Sequence, residues 1–257
     1  SVLVLLGWLF FRITESISPP TKARHLKRVI ISWSSGKDSA LTMQRMIEST
    51  EYEVVGLVTT YSESKSLVPI QATPIKYVRL QAQAMELPLL EIKMADQVSN
   101  EVYKNTLLEG LGNWTVPFDA IAFGDLYCNG IVEFRQKLFS ETVIECVFPL
   151  LIEEQIDLSR EIARQIINTP IRALLQSINL KHLEEHCCGA DYDNSLLEGL
   201  PECVDPCGEV GEFHTFVYDA PFFKTAIRIH RTEQERQTYH HGREMNMLVQ
   251  KFEASLP

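Results

Sequence analysis

The chain has 257 residues, 45% hydrophobic and 23% charged, which excludes intrinsic disorder, a collagen-like repeat and a disulfide-stapled miniprotein and allows one or two domains. Twenty-four basic residues stand against thirty-four acidic ones, a formal charge of −10 that disfavours nucleic acid as a partner unless a local basic cleft offsets it. Six cysteines are too sparse for a secreted disulfide scaffold and fit a reducing compartment, hence an expected cytoplasmic location.

Residues 1–11 (SVLVLLGWLFF) are apolar but only about half the ~20 residues of a membrane span. A signal peptide would need a basic start and a small-residue cleavage site; Arg12, Thr14 and Glu15 follow instead, then Pro19 and Pro20. No membrane partner is expected, and residues 1–25 read as an extension that runs into the basic stretch 22–27.

From residue 28 short apolar runs alternate with amphipathic stretches. Strands are expected at 28–33 (RVIISW), 53–60 (EVVGLVTT), 88–92, 119–123 (DAIAF) and 142–147. Helices are expected at 38–48, where Ala40, Leu41, Met43, Met46 and Ile47 share a face, and at 74–86, 99–111, 130–139 and 158–167. Strands interleaved with helices imply right-handed crossovers and an open, doubly wound parallel sheet, an α/β fold. A further strand is expected at 171–178, then thirty-five residues of Gly, Pro, Cys and acidic runs, then strands at 212–218 (EFHTFVY) and 225–231 (TAIRIHR). The tail, with His240 and His241, reads as a polar, helix-like, solvated stretch, and Met245, Met247 and Leu248 as packing. This divides the chain into an extension (1–25), an α/β domain (26–165) and a smaller α+β region (166–257).

The first strand hands over to the first helix through Ser32-Trp33-Ser34-Ser35-Gly36-Lys37-Asp38-Ser39. Open α/β sheets bind ligands at the carboxyl ends of their strands, and a helix N-terminus offers N–H groups to an anion. Ser34, Ser35 and Gly36 let backbone approach a phosphate, Lys37 adds a positive charge, and the Ser34 and Ser39 hydroxyls add donors. Asp38 would repel a bare phosphate, so its presence implies Mg²⁺ between them. This is not a Walker A loop, which needs glycine at the position of Ile31 and Ser/Thr at that of Asp38.

This run resembles the SGGKDS signature of PP-loop ATP pyrophosphatases, with Ser35 in place of the second Gly. The resemblance implies a five-stranded parallel nucleotide-binding fold of the adenine nucleotide alpha hydrolase-like type and cleavage of ATP between its α- and β-phosphates. If position 35 requires positive φ, serine there costs roughly 1 kcal/mol.

A second segment, Asp205-Pro206-Cys207-Gly208-Glu209-Val210-Gly211-Glu212-Phe213-His214-Thr215-Phe216-Val217-Tyr218-Asp219, sets two glutamates three apart between glycines ahead of a strand. By itself it reads more readily as a solvated acidic turn than as a cation, ammonium or ribose site. It is similar, however, to the EGGE-F/Y-x-T-x-V-x-D motif of the diphthine–ammonia ligase (diphthamide synthase) family within the PP-loop group, with Val210 replacing one Gly. Gly124-Asp125-Leu126 and the 77–87 stretch, with its 81–84 glutamine–alanine run, match as well, so the resemblance spans residues 28–223. The DPCGExGEFHT form looks like the short single-protein branch.

The resemblance implies an ATP-dependent amide-forming ligase: a carboxylate attacks the α-phosphorus, pyrophosphate leaves, and ammonia displaces AMP. It places Ser34, Ser35, Gly36, Lys37, Asp38, Ser39, Gly124 and Asp125 on ATP, Asp38 on the metal, and Glu209, Gly211, Glu212, His214 and Thr215 on the acceptor side. Lys37, Asp38, Glu209 and Glu212 are the expected catalytic groups. The partners implied are ATP, ammonia and a carboxylate acceptor, a protein side chain or a metabolite; self-association is left open. Two rivals are another PP-loop chemistry on tRNA or a small metabolite, and a nucleotide-binding regulatory module that never turns ATP over.

Two other patterns carry less. His182-Leu183-Glu184-Glu185-His186 matches H-x-x-E-H but lacks a surrounding amphipathic helix and is cut short by Cys187-Cys188-Gly189. Cys187, Cys188, Cys203, Cys207 and His214 lack the paired C-x2-C spacing of zinc ribbons and read as structural thiols.

Overall fold

Residues 25–257 are described in the computed structural model, except Ile70, Gln97, Cys128, Asn129 and Gly242, so nearly all of the expected N-terminal extension lies outside the described residues. In chain order, β1 (Lys27–Ser32) leads into α1 (Lys37–Glu48) and β2 (Tyr52–Ser62). A two-rung hairpin follows, β3 (Leu67–Val68) against β4 (Thr73–Pro74), which no pattern in the sequence marks. Then come α2 (Ile75–Met85), β5 (Leu89–Met94), α3 (Asn100–Gly112), β6 (Ala120–Ala122), α4 (Ile131–Phe139), β7 (Glu145–Val147) and α5 (Ile156–Asn168).

The five longer-range strands pair entirely in parallel, in the order β5-β2-β1-β6-β7. The period-two alternation explains why. Val29 and Ile31 face the core shared with α1, α2 and α5, while Ile30 faces the one shared with α3 and α4. Leu57 and Val58 in β2, and Ala120 and Ile121 in β6, divide in the same way. Val29, Ile30 and Ile31 are all fully buried, and each such Ile or Leu contributes about 1.5–3 kcal/mol, so β1 is held from both faces. β7 starts later than expected because Thr142 closes the end of α4, its hydroxyl donating to the Phe139 carbonyl and accepting from Ile144 N.

The second sheet is antiparallel, in the order β10-β11-β8-β9, with β8 (Arg172–Asn179), β9 (Phe213–Asp219), β10 (Arg228–His241) and β11 (Arg243–Ser255). One expectation fails here. The terminal stretch with His240 and His241, read as helix-like, is strand instead: β10 and β11 pair antiparallel over most of their length. Local helix propensity of the Glu/Gln/Arg run is overridden by burial of Met247, Leu248, Val249 and Phe252 and by a stacked Tyr77–Phe252 contact at 5.0 Å. Met247 and Leu248 are packing residues, as expected; the side chains of His240 and His241 lie outside the described residues.

β9 brings this sheet against the carboxyl end of β1: Val217 N donates to the Ser35 carbonyl (3.0 Å) and Lys37 N to Thr215 Oγ1 (3.0 Å). Among the described residues no helix is long and apolar enough to cross a membrane.

Candidate active site

The loop between β1 and α1 is shaped by neighbours distant in sequence. Trp33, buried, donates its indole N–H to Gln81 Oε1 (2.8 Å), and Gln81 Nε2 donates to the carbonyls of Ser35 (3.1 Å) and Val217 (2.7 Å). Ser35 adopts φ +78°, the left-handed region that the second glycine of the signature would occupy freely. Gly36 has ordinary φ, but a Cβ there would stand 3.3 Å from the Thr215 carbonyl oxygen, a tight approach to the β9 backbone. Inside the loop the Ser34 hydroxyl reaches Ser39 Oγ (3.3 Å), and Ser39 Oγ donates to the Gly36 carbonyl (2.8 Å).

Lys37 is buried at the first position of α1. Its ammonium donates to both Asp38 oxygens (2.9 and 2.8 Å) and to the Cys207 carbonyl (2.5 Å), and sits 5.6 and 5.5 Å from the Tyr192 and Phe213 ring centres. Burial alone would favour the neutral amine, but Asp38, helped by Glu209, holds it charged, with its pKa above the ordinary lysine value. The Asp38 pKa is raised as well: burial pushes it up, against the pull of Lys37. Glu209 is pushed up to about 8, by burial and by the charge of Asp38. The geometry therefore joins the two motifs in one acidic pocket around one lysine.

The 205–212 segment is a self-braced turn. Gly208 and Gly211 take φ +75° and +88°, and a Cβ on Gly208 would collide with the Phe213 carbonyl oxygen at 2.8 Å. Glu212, expected on the acceptor side and in catalysis, is 2% exposed, and its two oxygens accept Asp205 N (3.0 Å) and Val210 N (2.9 Å). Each carboxylate oxygen thus carries one backbone N–H of the turn, an arrangement that braces it. Gly211 likewise is a turn residue whose carbonyl accepts Asn179 Nδ2 (3.4 Å). His214 follows on β9, half-buried, its pKa pushed down to about 4 by burial and the nearby Lys37 charge.

At the end of β6, Gly124 lies so close to α1 that a Cβ would meet the Asp38 backbone at 3.0 Å. Asp125 is held in a two-point ion pair with Arg135 (2.6 and 3.1 Å), whose guanidinium covers the Phe123 ring at 4.2 Å. Asp125 thus sits beside the pocket with its charge already matched.

Sequence reasoning missed the supports. Asp205 accepts hydrogen bonds from Tyr127 OH, Ser159 Oγ (2.6 Å) and Cys207 N (2.7 Å), and Tyr192 OH donates to the Pro206 carbonyl (2.7 Å). Gln81 stood in the quoted glutamine–alanine run without a role; Thr73, Tyr127, Ser159, Gln176 and Tyr192 had no pattern to mark them. The H-x-x-E-H residues form a turn in which His186 is exposed and pairs with Glu184 at 3.2 Å. Cys188 is buried with its thiol on the Leu248 carbonyl (3.4 Å).

Two family domains match the chain in sequence order: the diphthamide synthase N-terminal domain over residues 27–143 and the diphthamide synthase C-terminal domain over residues 159–252. The chain belongs to the diphthamide synthase family. No curated protein matches it. Membership makes the chain an ATP-using ligase of the PP-loop type, and the loop at Ser34–Ser39 is the segment its signature marks.

ATP use implies Mg²⁺, and the donor set suits it. Asp38 would supply a hard oxygen ligand, and Glu209, pushed up to about 8 first by burial and then by the charge of Asp38, belongs to the same acidic cluster. Among the described residues no three His, Cys, Asp or Glu side chains converge on one point, so the ion would complete its shell with phosphate oxygens and water.

Proposed function

We propose that the protein joins ammonia to a carboxylate through an acyl-adenylate, in the manner of a diphthine–ammonia ligase, with residues 26–165 holding ATP and 166–257 presenting the acceptor. The observation that carries this reading is the Lys37 ammonium, fixed between Asp38 and the Cys207 carbonyl where the two motifs meet. A carboxylate oxygen of the acceptor bonds to the α-phosphorus as the bond to the bridging oxygen breaks and pyrophosphate departs. Lys37 and the N–H groups of the loop stabilise the charge that develops on the phosphates. Ammonia then bonds to the acyl carbon, AMP leaves with the electron pair of the broken C–O bond, and the nitrogen gives up a proton. Glu209, titrating near 8, is suited to take that proton. Mg²⁺ held by Asp38 would supply charge neutralisation of the phosphates.

Thr215 orients the loop through Lys37 N, and His214, neutral at pH 7, lies beside it on the acceptor side. The reaction is tested by incubating the protein with ATP, Mg²⁺, ammonium and a panel of carboxylates and following phosphorus resonances. AMP and pyrophosphate in equal amounts, dependent on one carboxylate, support the ligase; ADP and phosphate overturn it.

A further inference from the structure

Within the loop, Ser35 takes a backbone conformation that its own side chain disfavours, and such a residue persists only where its surroundings over-determine it. They do so on both sides of its peptide. The Ser35 carbonyl accepts two hydrogen bonds, from Val217 N and Gln81 Nε2. Its hydroxyl lies 2.8 Å from Thr73 Oγ1, which in turn lies 2.8 Å from Gln176 Oε1, and all three residues are excluded from solvent. Gln176 presents an oxygen, so the single Thr73 hydrogen points there, and Ser35 must be the donor to Thr73. A directed chain therefore runs from the loop at the end of β1, through β4, to β8.

Gln176 is aimed by a break in the ladder. Leu175 pairs with Thr215 and Ser177 with His214, which leaves Gln176 as the extra residue of a β-bulge. Bulges turn a side chain out of the regular alternation, and here the turned carboxamide meets Thr73. The neighbouring Thr215 receives Lys37 N, so one stretch of the β8/β9 ladder holds the loop at two points. The β3–β4 hairpin carries Gln71 as well, whose buried amide oxygen has no partner among the described residues and lies 3.4 Å from the position of a Cβ on Gly36.

We infer that Thr73 and Gln176 are positioning residues for the nucleotide loop: the hydroxyl chain Ser35–Thr73–Gln176 locks its left-handed turn and couples that shape to the antiparallel sheet. The inference rests on the loop being the ATP site; neither residue needs to touch the nucleotide.

Thr73→Val keeps the shape and removes the hydroxyl, whereas Thr73→Ser keeps the hydroxyl. Calorimetric titration with ATP and Mg²⁺ is expected to show about a tenfold weaker Kd for Thr73→Val and less than about a twofold change for Thr73→Ser. In a Ser35→Gly background, where the turn needs no tether, Thr73→Val is expected to cost less than about threefold. Equal losses in both backgrounds, or no loss in a folded Thr73→Val protein, overturn the inference. Hydrogen exchange in the nucleotide-free protein reads the clamp without ATP: the Lys37 and Val217 amides exchange faster in Thr73→Val, and unchanged rates refute the clamp. If the wild type takes up no ATP while those amides still loosen, the clamp stands and the nucleotide assignment fails. Should Thr73→Val not fold, Gln176→Met reads the same chain from its other end.

Discussion

The two loops that meet at Lys37 are built in opposite ways. The loop after β1 is held by partners far along the chain: Gln81, Thr73, Thr215 and Val217. The 205–212 turn holds much of itself, with Glu212 on Asp205 N and Val210 N, Asp205 on Cys207 N, Gly208 N on the Asp205 carbonyl and Gly211 N on the Gly208 carbonyl. The first is held from α2, β4 and β9; the second carries most of its backbone hydrogen bonds within the turn, with Tyr127 and Ser159 added on Asp205. A cluster assembled this way has its β1–α1 half set by tertiary contacts and its acidic half braced largely from within. Damage to the two halves should therefore read out differently.

The largest expected effect tests where they join. Lys37→Ala removes the only side-chain cation hydrogen-bonded to Asp38 among the described residues and should lower pyrophosphate release by at least about 100-fold, the scale seen when one charge-stabilising donor is lost. An enzyme that still releases pyrophosphate at the wild-type rate would show that the junction is structural.

A smaller effect separates the two glutamates of one motif. Glu212→Gln places an amide N–H₂ against one of two backbone N–H donors and should lower stability by about 1–3 kcal/mol in urea unfolding. Glu209→Gln removes a carboxylate that burial and Asp38 already disfavour, so its melting temperature should hold while turnover falls. Reversed phenotypes would exchange the roles assigned to the two residues.

Much of this was legible in the sequence because it rests on local signals. Val29, Ile30 and Ile31 before a serine–glycine turn announce a buried strand, and the SSGKDS run marks the helix start that follows it. The 205–219 run likewise announces an acidic turn and a strand. What was not legible depends on residues that gain meaning only through contact. Glu209 and Glu212 are chemically identical and three residues apart, yet one faces Lys37 and the other braces a turn, and spacing cannot tell them apart. Thr73 and Gln176 are ordinary polar residues until a bulge and a hairpin bring them together. The β10–β11 hairpin is hidden for a related reason: its Glu, Gln and Arg residues favour helix locally, and only the burial of Met247, Val249 and Phe252 decides for strand.

The smallest expected effect concerns His214, at the border of the two halves. Its pKa falls from 6.5 to about 4 in the folded protein, because the ring is buried and Lys37 is near. Between those values the unfolded chain binds a proton that the folded chain does not, so stability rises with pH across this window and is lost as pH drops from about 6.5 toward 4. For a half-buried ring, discounted for solvent screening, the loss between pH 7 and pH 5 should be about 1 kcal/mol. His214→Gln cannot take up that proton. Its urea midpoint should match the wild-type trend above pH 7 and fall less steeply below pH 6.5, narrowing any stability gap in acid. Parallel profiles for the two proteins would mean that the ring is solvated when folded, and that the Lys37 charge stops short of β9.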